Sequence, residues 1–429
     1  MSRTRPFWER DRDVCWHPYT QHGIEKEFLP VVGAEGTWLH LADGRRMIDA
    51  ISSWWCCLHG HGHPVLVEAI RAQAAQLDHV LFAGCTHQPA VELAEALARI
   101  TPPGLERTFF SDDGSTAVEV ALKACYQAAA KRGEPNRRRF LALEGGYHGD
   151  TFGAMSASDP DPFFEHFEGL LFEVERVPTD IDALTAAFEA RGSAFAAFIL
   201  EPIVKGADGM VPVPPAYLKA ARELCDQHGV PLIADEVMTG FGRTGTTFAC
   251  EQAGIAPDAM CLSKGLTGGM LPMSVTVFAE SLFEAFVSDD KADMFFHGHT
   301  FTGNPIGCAL ALASLALLEE EDTPARFRRI GARITEGLRT HGIDEARFDL
   351  RTFGGITALD LPVEDEGYLS DAGARLKAAA RQESPDVLLR PLGNVLYAMP
   401  PACATDEECD LIAARMAAVV EAASGDPQG

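Results

Sequence analysis

Two residues that each follow an apolar run could act together in covalent chemistry. Lys264 comes directly after AMCLS, and Asp235 ends PLIAD, 29 residues earlier. A lysine at the end of a buried strand loses solvation, which frees its amine to form a Schiff base. A buried Asp needs a cationic partner, such as a protonated pyridine nitrogen. Alone, Lys264 could be a surface lysine and Asp235 a capping residue, but the combination favours a catalytic pair.

A third cluster suits a phosphate group. Gly114 and Ser115 open the helix STAVEV, where free N–H groups and the helix dipole attract anions. Asp112 and Asp113 would repel a phosphate if both pointed inward, so we expect at least one to face away. The alternative is that Ser115 is a simple N-cap. Tyr147, in a Gly-rich turn, could stack on a flat cofactor or be a buried structural tyrosine.

The elements that would position these residues alternate between strand and helix from Pro64 onward. This alternation predicts an α/β fold with a mainly parallel sheet covered on both faces. Ligands of such sheets bind beyond the carboxyl ends of the strands, where SDDGS, GGYHGD, ADE, SKG and HGHTFTGN all fall. We predict three units: an N-terminal segment over 1–65, a large cofactor-binding domain over 66–322 and a small α+β domain over 323–429.

Two further motifs are weak indications of a binding site. GFGRTG (240–245) matches a dinucleotide-binding pattern, but its context fails because Arg243 lies inside it and no helix clearly follows, so a nicotinamide enzyme is disfavoured. His59, His61 and His63 could approach a metal, yet no carboxylate or Cys completes a ligand set, and an ordinary loop without metal is favoured.

Composition and net charge disfavour several classes of function. The 429 residues carry a net charge of -26, which disfavours nucleic acid and anionic membranes as partners. No apolar run is long enough to cross a membrane, and the charged N-terminus is unlike a secretory signal. The 11 Cys lack paired metal spacing, which indicates reduced thiols in a cytoplasmic protein.

These residues resemble the class III aminotransferases, which have the fold type I architecture. The resemblance spans nearly the whole chain, in the blocks WHPYT (16–20), SSWW (52–55), GYHGDTFGAMS (146–156), EPIV.GA.GM (201–210), GFGRTG (240–245), KGLTGG (264–269) and HTFTGNP (299–305). It implies pyridoxal 5'-phosphate (PLP) as cofactor, a large domain with a seven-stranded type of sheet, and a homodimer with shared sites.

The resemblance also implies roles for single residues. Lys264 would attach the cofactor and shuttle protons, Asp235 would pair with the pyridine nitrogen, and Tyr147 and Val237 would lie on the two faces of the ring. Thr300 of the neighbouring subunit would complete the phosphate site. The implied cofactor-binding residues are Gly114, Ser115, Tyr147, Asp235, Val237, Lys264, His299 and Thr300, and the implied catalytic residues are Lys264, Asp235 and Tyr147.

The blocks WHPYT and SSWW resemble the branch of the class that works in biotin synthesis. They imply transfer of an amino group from S-adenosylmethionine to 8-amino-7-oxononanoate, giving 7,8-diaminononanoate. Arg390 would take a carboxylate. The implied substrate-binding residues are Tyr19, Trp54, Tyr147, Lys264, Gly298, Arg390 and Tyr397, with Asp150 as a further candidate.

Three alternatives stay open at this point. A broader ω-aminotransferase would act on diamines or ω-amino acids, lysine could replace S-adenosylmethionine as donor, and a PLP-binding transcription regulator would need a basic face that the net charge of -26 disfavours. The chain departs from the biotin branch at His299, where proline is common, at His61, where asparagine is usual, and at Asp113, where serine is frequent.

Overall fold

A computed structural model describes residues 5–159, 164–362, 371–381 and 386–424. Its centre is a seven-stranded sheet in the order β4-β12-β11-β10-β7-β5-β6. The strands are β4 (Leu105–Ser111), β5 (Arg139–Leu143), β6 (Val174–Val177), β7 (Phe195–Leu200), β10 (Leu232–Asp235), β11 (Ala259–Leu262) and β12 (Ser274–Ala279). Because β12 alone runs antiparallel to its neighbours, the mainly parallel sheet predicted from the sequence is confirmed.

The described residues also form α-helices. They are α1 (Phe7–Val14), α2 (Ser52–Trp55), α3 (Pro64–Gln76), α4 (Gln88–Ile100), α5 (Gly114–Lys131), α6 (Phe152–Ala157), α7 (Ile181–Arg191), α8 (Pro215–His228), α9 (Glu280–Glu284), α10 (Pro305–Glu320), α11 (Thr323–Thr340), α12 (Asp371–Arg381) and α13 (Asp406–Ser424). α3, α4, α8, α10 and α11 each carry proline in the first turn, where its missing N–H costs nothing.

The remaining strands form three small sheets. They are β1 (Val31–Glu35), β2 (Trp38–Leu41), β3 (Arg46–Asp49), β8 (Val204–Lys205), β9 (Val211–Pro212), β13 (Arg351–Phe353), β14 (Ile356–Asp360), β15 (Val387–Leu388) and β16 (Val395–Ala398). The first sheet has the order β1-β2-β3-β15, so it joins N-terminal strands to a strand near the C-terminus. That closure brings chemistry-bearing residues from both ends of the chain to one place.

The sequence missed or overextended some of these elements. β6 is an edge strand with polar residues at its centre, so its sequence lacks the apolar run from which a buried strand is predicted. The piece VLLR reads as one strand, but β15 covers only Val387–Leu388, so Arg390 lies two residues beyond it. Both differences concern short edge strands, whose pairing depends on neighbours rather than on local pattern.

Apolar side chains fill both sides of the central sheet. On one side α5 buries a stripe of small residues that includes Ala117, Ala121 and Ala128 against the strands. On the other side α7 and α8 pack through Phe188, Leu218 and their neighbours. Within the ranges described, none of the helices is long and apolar enough to cross a membrane.

Candidate active site

A cavity of about 510 Å³ lies at the carboxyl ends of the central strands. It collects side chains from the N-terminal segment, from α2, from the loops after β4, β5, β10 and β11, and from the C-terminal part of the chain. The residues suggested by the sequence that line it are Tyr19, Trp54, Gly114, Ser115, Tyr147, Asp150, Asp235, Val237, Lys264, Arg390 and Tyr397. Folding therefore gathers most of the proposed site in one chain.

Lys264 lies two residues after β11, with its backbone at φ +46°. Its Nζ is 4.7 Å from the centre of the Trp55 ring. Loss of solvation lowers the pKa of the Lys264 amine, and the nearby carboxylates of Asp235 and Glu201 oppose that shift. A lowered pKa leaves more of the amine neutral and therefore nucleophilic.

Asp235 ends β10 and is buried. Its Oδ1 accepts from the backbone N–H of Val237 at 3.1 Å, and its Oδ2 accepts from Nδ1 of His148 at 2.7 Å. The His148 ring is also buried, and its Nε2 has no hydrogen-bond partner among the described residues. The imidazole fixes the carboxylate while leaving it able to meet a cation in the cavity.

Sequence reasoning missed both His148 and Glu201. Glu201 is buried and accepts from the backbone N–H groups of Tyr147 at 3.0 Å and Gly206 at 2.9 Å. Burial raises the pKa of its carboxyl to about 7, with the negative charge of Asp235 adding to the rise and His148 opposing it. The available signal was their membership of the blocks GYHGD and EPIV, but their contacts with the site arise from folding.

The start of α5 forms a close cradle. Asp113 is the N-cap, because its side chain accepts from the N–H of Thr116 at 2.9 Å, so Ser115 is not the cap and Asp113 is turned toward its own helix. A Cβ added to Gly114 would lie 2.7 Å from Cγ1 of Val237, closer than real contacts allow. Glycine therefore lets the first N–H groups of the helix face the cavity, as a phosphate requires.

On the opposite side of this cradle, the loop after β5 approaches Ser115. A Cβ on Gly149, whose φ is +128°, would lie 2.1 Å from Oγ of Ser115. That same Oγ accepts from the N–H of Asp150 at 3.1 Å. The loop carrying Tyr147 is thus fixed against the start of α5, which sets the position of the Tyr147 ring relative to that helix end.

Asp150 joins two tyrosines at the cavity wall. Its Oδ1 accepts from the hydroxyls of Tyr19 at 2.7 Å and Tyr147 at 2.9 Å. Burial raises the pKa of the Tyr147 hydroxyl well above its ordinary value, and the hydrogen bond with Tyr19 adds to the shift. The raised pKa keeps the Tyr147 hydroxyl protonated, so it donates a hydrogen bond to Asp150.

Aromatic rings and one cationic side chain line the far end of the cavity. The guanidinium carbon of Arg390 lies 4.7 Å from the centre of the Trp54 ring, and Tyr19 meets the same ring edge-on at 5.8 Å. Nearby, the Trp55 indole N–H donates to the hydroxyl of Tyr397 at 2.8 Å. A guanidinium resting on an indole face presents its N–H fork in a defined plane.

Three residues suggested by the sequence lie elsewhere. Of the residues that the structure describes, the cavity lining does not include Gly298, His299 or Thr300. Gly298 and Thr300 are exposed, and the Thr300 carbonyl accepts from Nε2 of His79 at 2.8 Å. Nδ1 of His299 is 3.9 Å from Oδ2 of Asp112. A single chain therefore does not bring this loop into its own site.

The two less specific motifs have structural roles. Arg243 of GFGRTG is buried, donates to the Pro400 carbonyl at 2.9 Å, and is followed by a short 3-10 helix rather than an α-helix. His59, His61 and His63 point to separate partners: Ser314, Asp49 and Glu321. Across the described ranges, no group of three His, Cys, Asp or Glu side chains is arranged to hold a metal.

A family model and known proteins match this chain over most of its length. A model of the class-III aminotransferase family matches residues 19–420. A Synechococcus elongatus protein named adenosylmethionine-8-amino-7-oxononanoate aminotransferase is 46% identical, over 95% of this chain and 98% of its own length.

Two solved structures are also similar over most of both chains. The enzyme of the same name from Methanocaldococcus jannaschii has a TM-score of 0.91 and 33% identity, covering 97% of this chain and 98% of that one. An amine transaminase from an uncultivated Pseudomonas species, solved in its PLP-bound form, has a TM-score of 0.85 and 33% identity, covering 96% and 98%. The chain therefore belongs to the class III aminotransferases and is a PLP-dependent transaminase of fold type I.

Proposed function

We propose that this enzyme transfers an amino group from S-adenosylmethionine to 8-amino-7-oxononanoate, giving 7,8-diaminononanoate for biotin synthesis. The name carried by its Synechococcus and Methanocaldococcus relatives supports this assignment. The observation that carries it is the placement of Arg390, on the Trp54 ring, in the same cavity as Lys264. This arrangement suits a substrate with an anionic end, an apolar chain and a reacting carbonyl.

The cavity residues fit PLP. We propose that Asp235 holds the proton on the pyridine nitrogen, that Gly114 and Ser115 receive the phosphate, and that Tyr147 and Val237 bound the ring. When bound, PLP supplies an electron-poor ring that takes up the electron pair left as a proton leaves the carbon bearing the amino group. The buried carboxylate of Asp235, which His148 already fixes, would keep that ring electron-poor.

Lys264 is the group that moves protons. Its amine is delivered by the end of β11 and rests over Trp55, 4.7 Å from the ring centre. Because burial lowers the pKa of this amine, a larger share of it is neutral and able to take up a proton. We propose that it attaches the cofactor and then carries the proton to and from the substrate carbon.

We propose that Arg390 binds the carboxylate of 8-amino-7-oxononanoate. Its planar fork can donate two parallel hydrogen bonds to a carboxylate, which lysine cannot copy. The alkyl chain of the substrate would then lie along Tyr19 and Trp54, whose rings meet at 5.8 Å. The ketone would then be delivered to the cofactor.

A test of the function separates the two half-reactions in stopped flow. The PLP form is mixed with S-adenosylmethionine, with lysine or with a simple diamine, and the pyridoxamine form is mixed with 8-amino-7-oxononanoate. Rapid conversion with S-adenosylmethionine and with the oxononanoate is expected. Conversion with lysine but not with S-adenosylmethionine would identify lysine as the amino donor. Conversion with diamines but not with the oxononanoate would indicate a broader ω-aminotransferase.

The same assay tests Arg390. Arg390→Ala should raise the apparent dissociation constant for the oxononanoate about a hundredfold, since a lost charge-assisted pair costs about 2–3 kcal/mol. Arg390→Lys keeps the charge but not the fork and should recover only part of the affinity. An unchanged constant in Arg390→Ala would remove this residue from the substrate site.

We also propose a homodimer in which Gly298, His299 and Thr300 serve the neighbouring site. Support comes from the exposure of this loop together with that of Phe296 and Phe301, which are 68% and 58% exposed in one chain. Large aromatic side chains that are exposed close together in one loop indicate a surface that another protein surface covers. We propose a cytoplasmic location, since all 11 cysteines are free thiols.

A further inference from the structure

The segment that carries two rings of the cavity has an unusual backbone. Ser52, Ser53 and Trp55 have φ of +49°, +61° and +67°. Residues other than glycine adopt such angles rarely, and they persist where surrounding contacts hold them in place. The short helix α2 is therefore a strained turn that needs an anchor.

Asp49 supplies that anchor from the end of β3. Its Oδ2 accepts from the backbone N–H of Ser53 at 2.6 Å and from the Ser53 hydroxyl at 2.9 Å, and its Oδ1 accepts from the N–H of Ile51 at 3.3 Å. Nε2 of His61 donates to Oδ2 at 2.9 Å. The carboxylate is fully buried, so these donors replace the water it has lost.

The anchored turn fixes two rings in different directions. Trp54 lies under the guanidinium of Arg390 at 4.7 Å, and Trp55 lies under the amine of Lys264 at 4.7 Å. One carboxylate therefore holds the backbone between a ring at the substrate end of the cavity and a ring at the reacting end.

The same strand also aligns Arg390. β3 pairs in parallel with β15, with Asp49 opposite Leu388, and Arg390 follows two residues later. The N–H of Ile48 donates to the Asp386 carbonyl at 2.6 Å. Asp49 thus lies at the junction of the two chain segments that bring Trp54 and Arg390 together.

We propose that Asp49, held by His61, is a positioning residue that sets the affinity of the cavity for the anionic end of the amino acceptor. It touches neither cofactor nor substrate, and it acts by holding the turn that presents Trp54 to Arg390. The identity of the acceptor rests on the proposed function, whereas the hold on the turn does not.

The kinetic test uses Asp49→Asn, which keeps size but replaces one acceptor oxygen by an amide that cannot accept. KM for 8-amino-7-oxononanoate should rise about tenfold, the cost of one charge-assisted hydrogen bond, with little change in kcat. The matched control is Asp43→Asn, since Asp43 is an exposed carboxylate paired with Arg45 in the turn before β3. It should leave both constants unchanged.

Variants of His61 guard against a simple folding defect. His61→Asn keeps an N–H donor near Asp49 and should retain most of the affinity, whereas His61→Leu removes the donor and should raise KM as Asp49→Asn does. A raised KM in His61→Leu, together with a KM near the wild-type value in His61→Asn, supports the positioning role of Asp49. Equal effects of the two substitutions, or an equal fall in kcat with both substrates, would overturn the proposal.

A second readout does not depend on the substrate. Amide hydrogen exchange of residues 49–55 should be faster in Asp49→Asn than in the wild type, because the asparagine side chain has only one acceptor oxygen for the N–H groups of Ser53 and Ile51. If the wild type fails to use the oxononanoate, the proposed function is wrong, yet exchange still tests the anchor. Unchanged exchange in this segment would show that Asp49 does not hold the turn.

Discussion

Adjacent carboxylates at the end of β10 face opposite environments. Asp235 opens to the cavity and is paired with His148, at 2.7 Å. Glu236 is fully buried on the other side, where it accepts from the hydroxyl of Thr239 and from the N–H groups of Ala249 and Cys250. Successive side chains of a strand point to opposite faces of the sheet. The Asp235 carboxylate therefore faces the cavity, whereas the Glu236 carboxylate binds the loop that contains Ala249 and Cys250.

These environments predict opposite mutant phenotypes. Asp235→Asn should cost about a thousandfold in turnover, about 4 kcal/mol, because a neutral amide does not hold the proton on the pyridine nitrogen. Its thermal midpoint should stay near that of the wild type. Glu236→Gln should instead lose about 1–3 kcal/mol of stability with far less effect on turnover. Steady-state kinetics and thermal unfolding of both variants measure these effects. Wild-type rates in PLP-loaded Asp235→Asn would refute the pairing of Asp235 with the pyridine nitrogen.

Glu201 introduces a pH dependence of stability. Burial raises the pKa of its carboxyl from 4.5 to about 7, so the folded state binds a proton that the unfolded state has released between these values. The stability it contributes is complete below pH 4.5 and is lost as the pH rises through about 7, a change of about 3 kcal/mol.

Glu201→Gln should remove this part of the pH profile. The urea midpoint of the wild type should fall between pH 5 and pH 8 by more than that of the variant, because a glutamine has no proton to release. Glu223→Gln, at an exposed position of α8, is the control and should follow the wild type. Parallel profiles for all three proteins would contradict the role assigned to burial.

At the scale of elements, α5 shows how a cap and a ligand site share one helix end. Asp113 accepts from the N–H of Thr116, and the Thr116 hydroxyl lies 3.0 Å from the Asp113 N–H as its return partner. The cap stabilises the helix but adds a negative charge beside the proposed phosphate site. Serine would provide the same hydrogen bond without that charge.

Two substitutions separate these effects. Asp113→Ser should keep stability within about 0.5 kcal/mol and tighten PLP binding two- to fivefold, about 0.3–1 kcal/mol from one charge near a helix N-terminus. Asp113→Ala removes the charge and the cap, so it should lower stability by about 1 kcal/mol. Equilibrium titration with PLP measures the first effect and thermal unfolding the second. Weaker PLP binding by Asp113→Ser would show that the carboxylate does not oppose the cofactor.

At the scale of the whole molecule, one site draws on distant parts of the chain. Tyr19 and Trp54 come from the N-terminal segment, Lys264 from the central sheet and Arg390 from near the C-terminus. The sheet β1-β2-β3-β15 makes that closure possible, because it pairs strands from the two ends. The division into units over 1–65, 66–322 and 323–429 stays a prediction.

The proposed sharing of sites predicts a specific complementation. A Lys264→Ala chain mixed with a Thr300→Ala chain should form dimers in which one site has both lesions and the other has none. At limiting PLP, activity should therefore rise above that of either variant alone, toward one working site per mixed dimer. The control mixes Lys264→Ala with Lys219→Ala, an exposed lysine of α8. No recovery of cofactor affinity in the test mixture would indicate that Thr300 serves its own chain.

The sequence by itself determined the architecture and predicted that Lys264 and Asp235 act as a pair. Lys264 and Asp235 each follow an apolar strand, and alternating strands and helices indicate a mainly parallel sheet whose carboxyl ends meet at one edge. That sheet and the family are confirmed, and the start of α5 lines the same cavity as Lys264 and Asp235. Such features are predictable because they depend on local hydrophobic pattern and on the shared direction of parallel strands.

Tertiary structure alone decided the partners of these residues. His148 meets Asp235 across 87 residues of sequence, Glu201 receives the N–H of Tyr147, and Asp49 holds a turn that no local pattern predicts. It also showed that Asp113 rather than Ser115 caps α5 and that Arg390 lies beyond its strand. Hydrogen bonds between distant segments depend on how the loops are arranged in three dimensions. Residue type and spacing within one segment do not allow that arrangement to be predicted.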